Sequence, residues 1–111
     1  MAHSQLLKGT TQLLILGVLR EAELHGYEIR QRIRERSAAV IEPGEGWLYP
    51  ALHRLEAEGA VEATWREGGL GPRRRYYRIT KKGLAALAAL EAEWESFAGS
   101  VRLVTTTSSG S

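Results

Sequence analysis

The chain has 111 residues, enough for one modest hydrophobic core and too few for two. At 43% hydrophobic and 25% charged residues wholesale disorder is excluded, and the lack of cysteine excludes disulfide frameworks and thiolate metal sites, in keeping with a cytoplasmic location. The net charge of +2 is unevenly spread: residues 65–82 hold seven Lys/Arg against Glu67, whereas the segments on either side are each net acidic. One short stretch therefore carries the positive field that a phosphate-binding surface needs.

In chain order, a first helix is predicted over Thr10–Glu21, apolar nearly all round through Leu13, Leu14, Ile15, Leu16, Val18 and Leu19, with Gly9 and Thr10 as cap residues. Its apolar run is too short to span a bilayer and does not read as a secretory leader, so no membrane partner is expected. Leu24-His25-Gly26 breaks the pattern. A second helix follows over Gly26–Ser37, buried through Ile29 and Ile33, with Arg30, Arg32, Arg34 and Arg36 on a solvated face. Pro43, Gly44 and Gly46 mark a connection.

A third helix is predicted to start near Leu48, where Leu48, Leu52 and Leu55 recur at i, i+4, i+7 and Gly59 supplies the stop. Pro50 is placed in its first turn. The opposite face presents Trp47, Tyr49, Pro50, His53 and Arg54. Next comes a two-stranded hairpin: Val61, Ala63 and Trp65 alternate with Glu62, Thr64 and Arg66, a Gly/Pro turn follows, and Arg73–Ile79 returns. Thr80 caps a last helix.

That helix carries Leu87, Leu90, Trp94, Phe97, Val101 and Val104 at spacings of three and four, a coiled-coil-like seam. Two solutions bury it: a partner helix from a second copy, giving a homodimer, or folding back onto its own domain. The fold class read from this order is α+β, mainly α: a winged helix-turn-helix over residues 1–80, a dimerisation helix over 81–104 and a disordered tail over 105–111. Such a unit binds double-stranded DNA, with one helix in the major groove and the arginine-rich wing of Arg73, Arg74 and Arg75 on phosphates or the minor groove.

Four stretches carry a more specific likeness: Leu7-Lys8-Gly9-Thr10 leading into Leu13–Leu16; His25-Gly26-Tyr27-Glu28-Ile29; Leu48–Glu56 with Gly59; and Arg74–Thr80 with Gly83. In this order they resemble the PadR family of transcription regulators, in its short subgroup with a single C-terminal helix. The resemblance implies a recognition helix bearing Tyr49, Pro50, His53 and Arg54, with Tyr27 near the DNA backbone. From the residues alone, Tyr27 is equally suited to the core, and His53 to a local cap or stack. Trp47 departs from the family pattern, which has a small hydroxyl residue there. It suits either a contact with sugar or base or a protein pocket, and Glu42 and Glu45 add negative charge beside it. The resemblance also implies a planar aromatic effector held by Trp94 and its symmetry mate, with Glu91 and Phe97 beside it. The plainer role for Trp94 is a bulky seam residue.

Catalysis is not expected. His3, His25 and His53 lack metal-ligand spacing, no nucleophile or phosphate-loop signature occurs, and no cofactor is implied. The competing reading is a winged-helix protein-interaction module that no longer binds DNA.

Overall fold

The same apolar periodicities that mark the helices decide how they pack. The computed structural model describes residues 2–106, with side chains from residue 10 onward. Helix α1 spans Ala2–Leu19. It begins eight residues before the expected start, because nothing upstream breaks a helix and a single Gly9 costs only about 1 kcal/mol. Gly9 and Thr10 are thus inside the helix and not caps. Its last turn closes at Arg20 and Glu21, whose amides donate to Leu16 O and Val18 O.

Strand β1 (Leu24–His25) was not expected. It pairs antiparallel with the strand that carries Tyr76 and Tyr77, so the predicted hairpin is one part of a three-stranded sheet. Two residues are too few to leave an alternation in the sequence.

Helix α2 (Gly26–Arg36) opens with a reciprocal cap: the Glu28 amide donates to His25 Nδ1 at 3.3 Å, and the His25 amide donates to Glu28 Oε1 at 3.1 Å. After it, Ala38 and Ala39 adopt φ of 53° and 63°. The turn is pinned by Ser37, whose hydroxyl accepts from the Ile41 amide at 3.0 Å.

Helix α3 (Glu45–Ala57) is capped by Gly44 and starts three residues earlier than predicted. Pro50 therefore sits in its second turn, not its first. The cost is limited because Gly46 and Pro50 are both exposed, which leaves the freed Gly46 carbonyl to water.

Strands β2 (Val61–Gly68) and β3 (Gly71–Ile79) form the hairpin, ordered β1-β3-β2 in the sheet. Gly69, at φ 66°, occupies the first position of the two-residue turn, where positive φ suits glycine.

Helix α4 spans Lys81–Thr105. Thr80 caps it as expected, its Oγ1 accepting from the Gly83 amide at 3.0 Å. Gly83 is required by packing: a Cβ there would collide with the Ala60 carbonyl and with Ile79. Of the expected tail, Thr105 ends the helix and Thr106 caps it, while 107–111 lie outside the described residues.

Ile15 and Leu16 of α1, Ile29 and Ile33 of α2, and Leu48, Leu52 and Leu55 of α3 meet Val61, Tyr77 and Leu87 in one core. Each fully buried aliphatic side chain contributes about 2 kcal/mol, so the α3 stripe alone is a large share of what holds the third helix in place. The seam of α4 divides. Leu87 is buried and Leu90 packs against the same core, whereas Trp94, Phe97, Val101 and Val104 stand exposed. The proximal half of the seam thus folds back on its own domain, beside an Arg20–Glu91 ion pair at 3.5 Å.

Candidate nucleic-acid interface

Burying Leu48, Leu52 and Leu55 turns the other side of α3 outward. Pro50, His53 and Arg54 are exposed there, on one continuous stripe at i, i+3, i+4. Tyr49 points elsewhere, half-buried, with its ring against Gly26 at the start of α2. Tyr27 is 55% exposed, which removes it from the core, and its hydroxyl accepts from Gln31 at 2.6 Å.

Trp47 does not project with this stripe. It is half-buried against the core, and its indole Nε1 is buried without an acceptor. Glu42 is likewise not an isolated negative charge, since Arg34 Nε donates to it at 2.6 Å, and that hydrogen bond, with the carboxylate charge behind it, holds the Arg34 pKa above the ordinary value.

Ion pairing sorts the arginines. Arg30 donates to Pro43 O at 2.9 Å, and Arg36 grips Glu21, whose carboxyl it holds below the ordinary carboxylate value through that hydrogen bond. Arg66 pairs with Glu23 and stacks on Tyr76, and Arg78 pairs with Glu62. On the wing, Arg73 lies 3.3 Å from Glu67, and Arg75 donates to Glu56 of α3 at 2.7 Å. Arg75 is therefore a strut between wing and recognition helix, with its Nε buried and unpartnered.

Arg74 differs. Its Nη1 lies 3.2 Å from His25 Nε2. Its neighbour is thus an imidazole, and no carboxylate answers the Arg74 charge among the described residues. Arg54 has no carboxylate partner among the described residues. The two guanidinium groups left unspent on the side of the molecule formed by α3 and the wing are thus Arg54 and Arg74.

The inner face of the wing carries Trp65, 57% exposed, with the Arg73 and Arg75 guanidiniums 5.3 and 5.8 Å from its ring centre. The sequence reading did not single out Trp65, although alternation with Val61 and Ala63 already put it on the core side of a strand that outruns the core. Glu56 and His25 were missed for a different reason: their roles come from Arg75 and Arg74, residues far along the chain. Among the described residues no group of His and Glu is placed to hold a metal, and no helix is long and apolar enough to cross a membrane.

The PadR-like family of transcriptional regulators matches residues 15–89, from the last turns of α1 through the wing to the start of α4. The chain belongs to this family. PadR-like proteins are regulators of transcription and not enzymes. A transcriptional regulator of Mycobacterium tuberculosis is 39% identical over 80 residues, covering 72% of this chain and 71% of its own. The structure of a transcriptional regulator from Clostridium thermocellum superposes with a TM-score of 0.86 at 30% identity, covering 92% of this chain and 99% of that one. PadR of Bacillus subtilis, solved in complex with operator DNA, superposes with a TM-score of 0.64 at 28% identity, over 70% of this PadR-like chain and 44% of that one.

Proposed function

We propose that this PadR-like regulator binds double-stranded operator DNA as a homodimer and represses transcription by occluding a promoter. The observation that carries the reading is the sorting of its arginines. Carboxylates neutralise most of them, while Arg54 on the α3 stripe and Arg74 on the wing keep free donors on one side of the molecule. The operator complex of the Bacillus subtilis relative supports DNA as the partner.

Pro50, His53 and Arg54 would meet base edges, with Tyr49 and Trp47 supporting the helix from behind. Tyr27, Arg73 and Arg74 would meet phosphates, and Arg75 would set the angle of the wing. The exposed distal half of α4, through Trp94, Phe97, Val101 and Val104, is the dimer surface. Two recognition helices then enter successive major grooves of a pseudo-palindrome, roughly 34 Å apart. Trp94 and Phe97, with ring centres 6.2 Å apart, offer a planar aromatic effector a seat at the dimer centre beside Glu91.

The test is a titration against the DNA upstream of the protein's own coding region, beside random DNA, at two salt concentrations. Preferential, salt-sensitive binding that is lost in Arg54→Ala/Arg74→Ala supports the reading. Equal, weak binding to both DNAs overturns it in favour of a protein-interaction module. Sedimentation of Phe97→Glu/Val101→Glu as a monomer supports the dimer surface.

A further inference from the structure

The wing runs on past the core. From Thr64 to the turn, and back as far as Arg74, every residue of the hairpin is exposed. Its tip stands about 13 Å beyond the Arg66–Arg74 pair, at about 3.3 Å per strand residue. The end is almost bare backbone: Gly68, Gly69 and Gly71 carry no side chain, and a Cβ on Gly68 would collide with the Pro72 carbonyl. The one side chain of the turn is Leu70, the most exposed large apolar residue among those described. Gly69 already supplies the positive φ, so the turn does not ask for leucine, and the small polar residues common in turns would fill its place. Nor is the tip cationic. The first arginine back along each strand, Arg66 and Arg73, is answered by Glu23 and by Glu67.

We infer that Leu70 is a minor-groove wedge: its side chain enters the groove, parts one base step and kinks the duplex, so that the step's flexibility becomes part of operator recognition. This deepens the DNA reading proposed above and rests on it. A turn walled by glycines suits a groove roughly 6 Å wide. The parted bases offer the isobutyl group apolar faces to cover, and covering them releases water from both surfaces. Behind the tip, Arg74 has no carboxylate to hold it back from the phosphates that fix the wing in place. Pyrimidine–purine steps open most easily, so the operator carries TA or CA where the tip reaches. This selectivity uses no hydrogen bond to a base, and it acts at a different place in the duplex from the Pro50, His53 and Arg54 stripe on α3.

The experiment titrates the unmodified protein, Leu70→Ser and Leu70→Met against two forms of the upstream duplex. One carries donor and acceptor dyes at its ends and reports bending; the other carries 2-aminopurine for the adenine of a single TA or CA step and brightens when that step unstacks. Bending together with brightening at one step, both lost in Leu70→Ser and kept in Leu70→Met, supports the wedge. Leu70→Ser should also bind at least fivefold more weakly with an unchanged salt slope, because no charge is removed. Serine suits the turn and the side chain touches nothing to be lost, so circular dichroism should match that of the unmodified protein. Bending and brightening that persist in Leu70→Ser overturn the wedge, and so does a loss accompanied by a smaller salt slope, which marks displaced cations. Preference for upstream DNA without bending or brightening overturns the wedge and leaves the DNA reading standing. No preference over random DNA overturns both.

Discussion

Gly26 and Tyr49 fit each other so closely that a β-carbon on residue 26 would fall on the Tyr49 hydroxyl and ring. The first residue of α2 and the front of α3 are thereby locked, and with them the angle between the two helices. Gly26→Ala is expected to cost about 1–3 kcal/mol, the usual penalty of overpacking. In a Tyr49→Ala background the same change should cost much less. Urea unfolding of the four proteins of this cycle measures the difference.

The Arg75–Glu56 pair ties the wing to α3 with both side chains about one-third exposed. Glu56→Gln should cost only about 1 kcal/mol, because solvent screens a pair at this depth. Its larger effect should be on wing mobility, read as faster amide exchange across β2 and β3 with little change on α1.

Ala38 and Ala39 hold left-handed backbone between α2 and α3. That conformation costs a non-glycine residue about 1–2 kcal/mol, while glycine adds about 0.5–1 kcal/mol of unfolded-state entropy. Replacing either by glycine should therefore stabilise the fold by about 0.5–1 kcal/mol. A rise in the urea midpoint without a change in slope is the expected result.

Burial pushes the Tyr77 phenol above its ordinary value, which is about 10. Below that pH both folded and unfolded chains hold the proton, so Tyr77 leaves stability independent of pH. Above it the unfolded chain loses its proton first, and stability falls as pH rises. Tyr77→Phe should flatten this alkaline limb in unfolding curves taken between pH 9 and pH 11.

If Arg54 and Arg74 each neutralise a phosphate, removing either should reduce the slope of log affinity against log salt by about 0.9. Arg73→Ala, with Glu67 already beside it, should change the slope less. Fluorescence anisotropy on labelled upstream DNA across a salt series separates the three.

Much of this was legible beforehand because periodicity reports burial directly. Leu48, Leu52 and Leu55 announced α3 and, by exclusion, the outward stripe of Pro50, His53 and Arg54. The alternation from Val61 to Arg66 and the run of arginines after the Gly/Pro turn announced a basic wing, and Thr80 announced its helix. Residue patterns and their order were therefore sufficient for the helices, the hairpin and the family, but not for the two-residue strand β1 that completes the sheet.

Tertiary structure alone decided which charges are spent. The formal charge of Arg73, Arg74 and Arg75 is the same in the sequence, yet Glu67 and Glu56 answer two of them, and the third faces the His25 ring instead of a carboxylate. The same holds for Trp47, which packs inward, and for the α4 seam, whose Leu87 is buried in its own domain while Trp94 is not. Periodicity tells which face of an element is apolar, because that is a local repeat. What meets that face, and which cation finds a carboxylate, depends on residues tens of positions away and is settled only when the chain has closed.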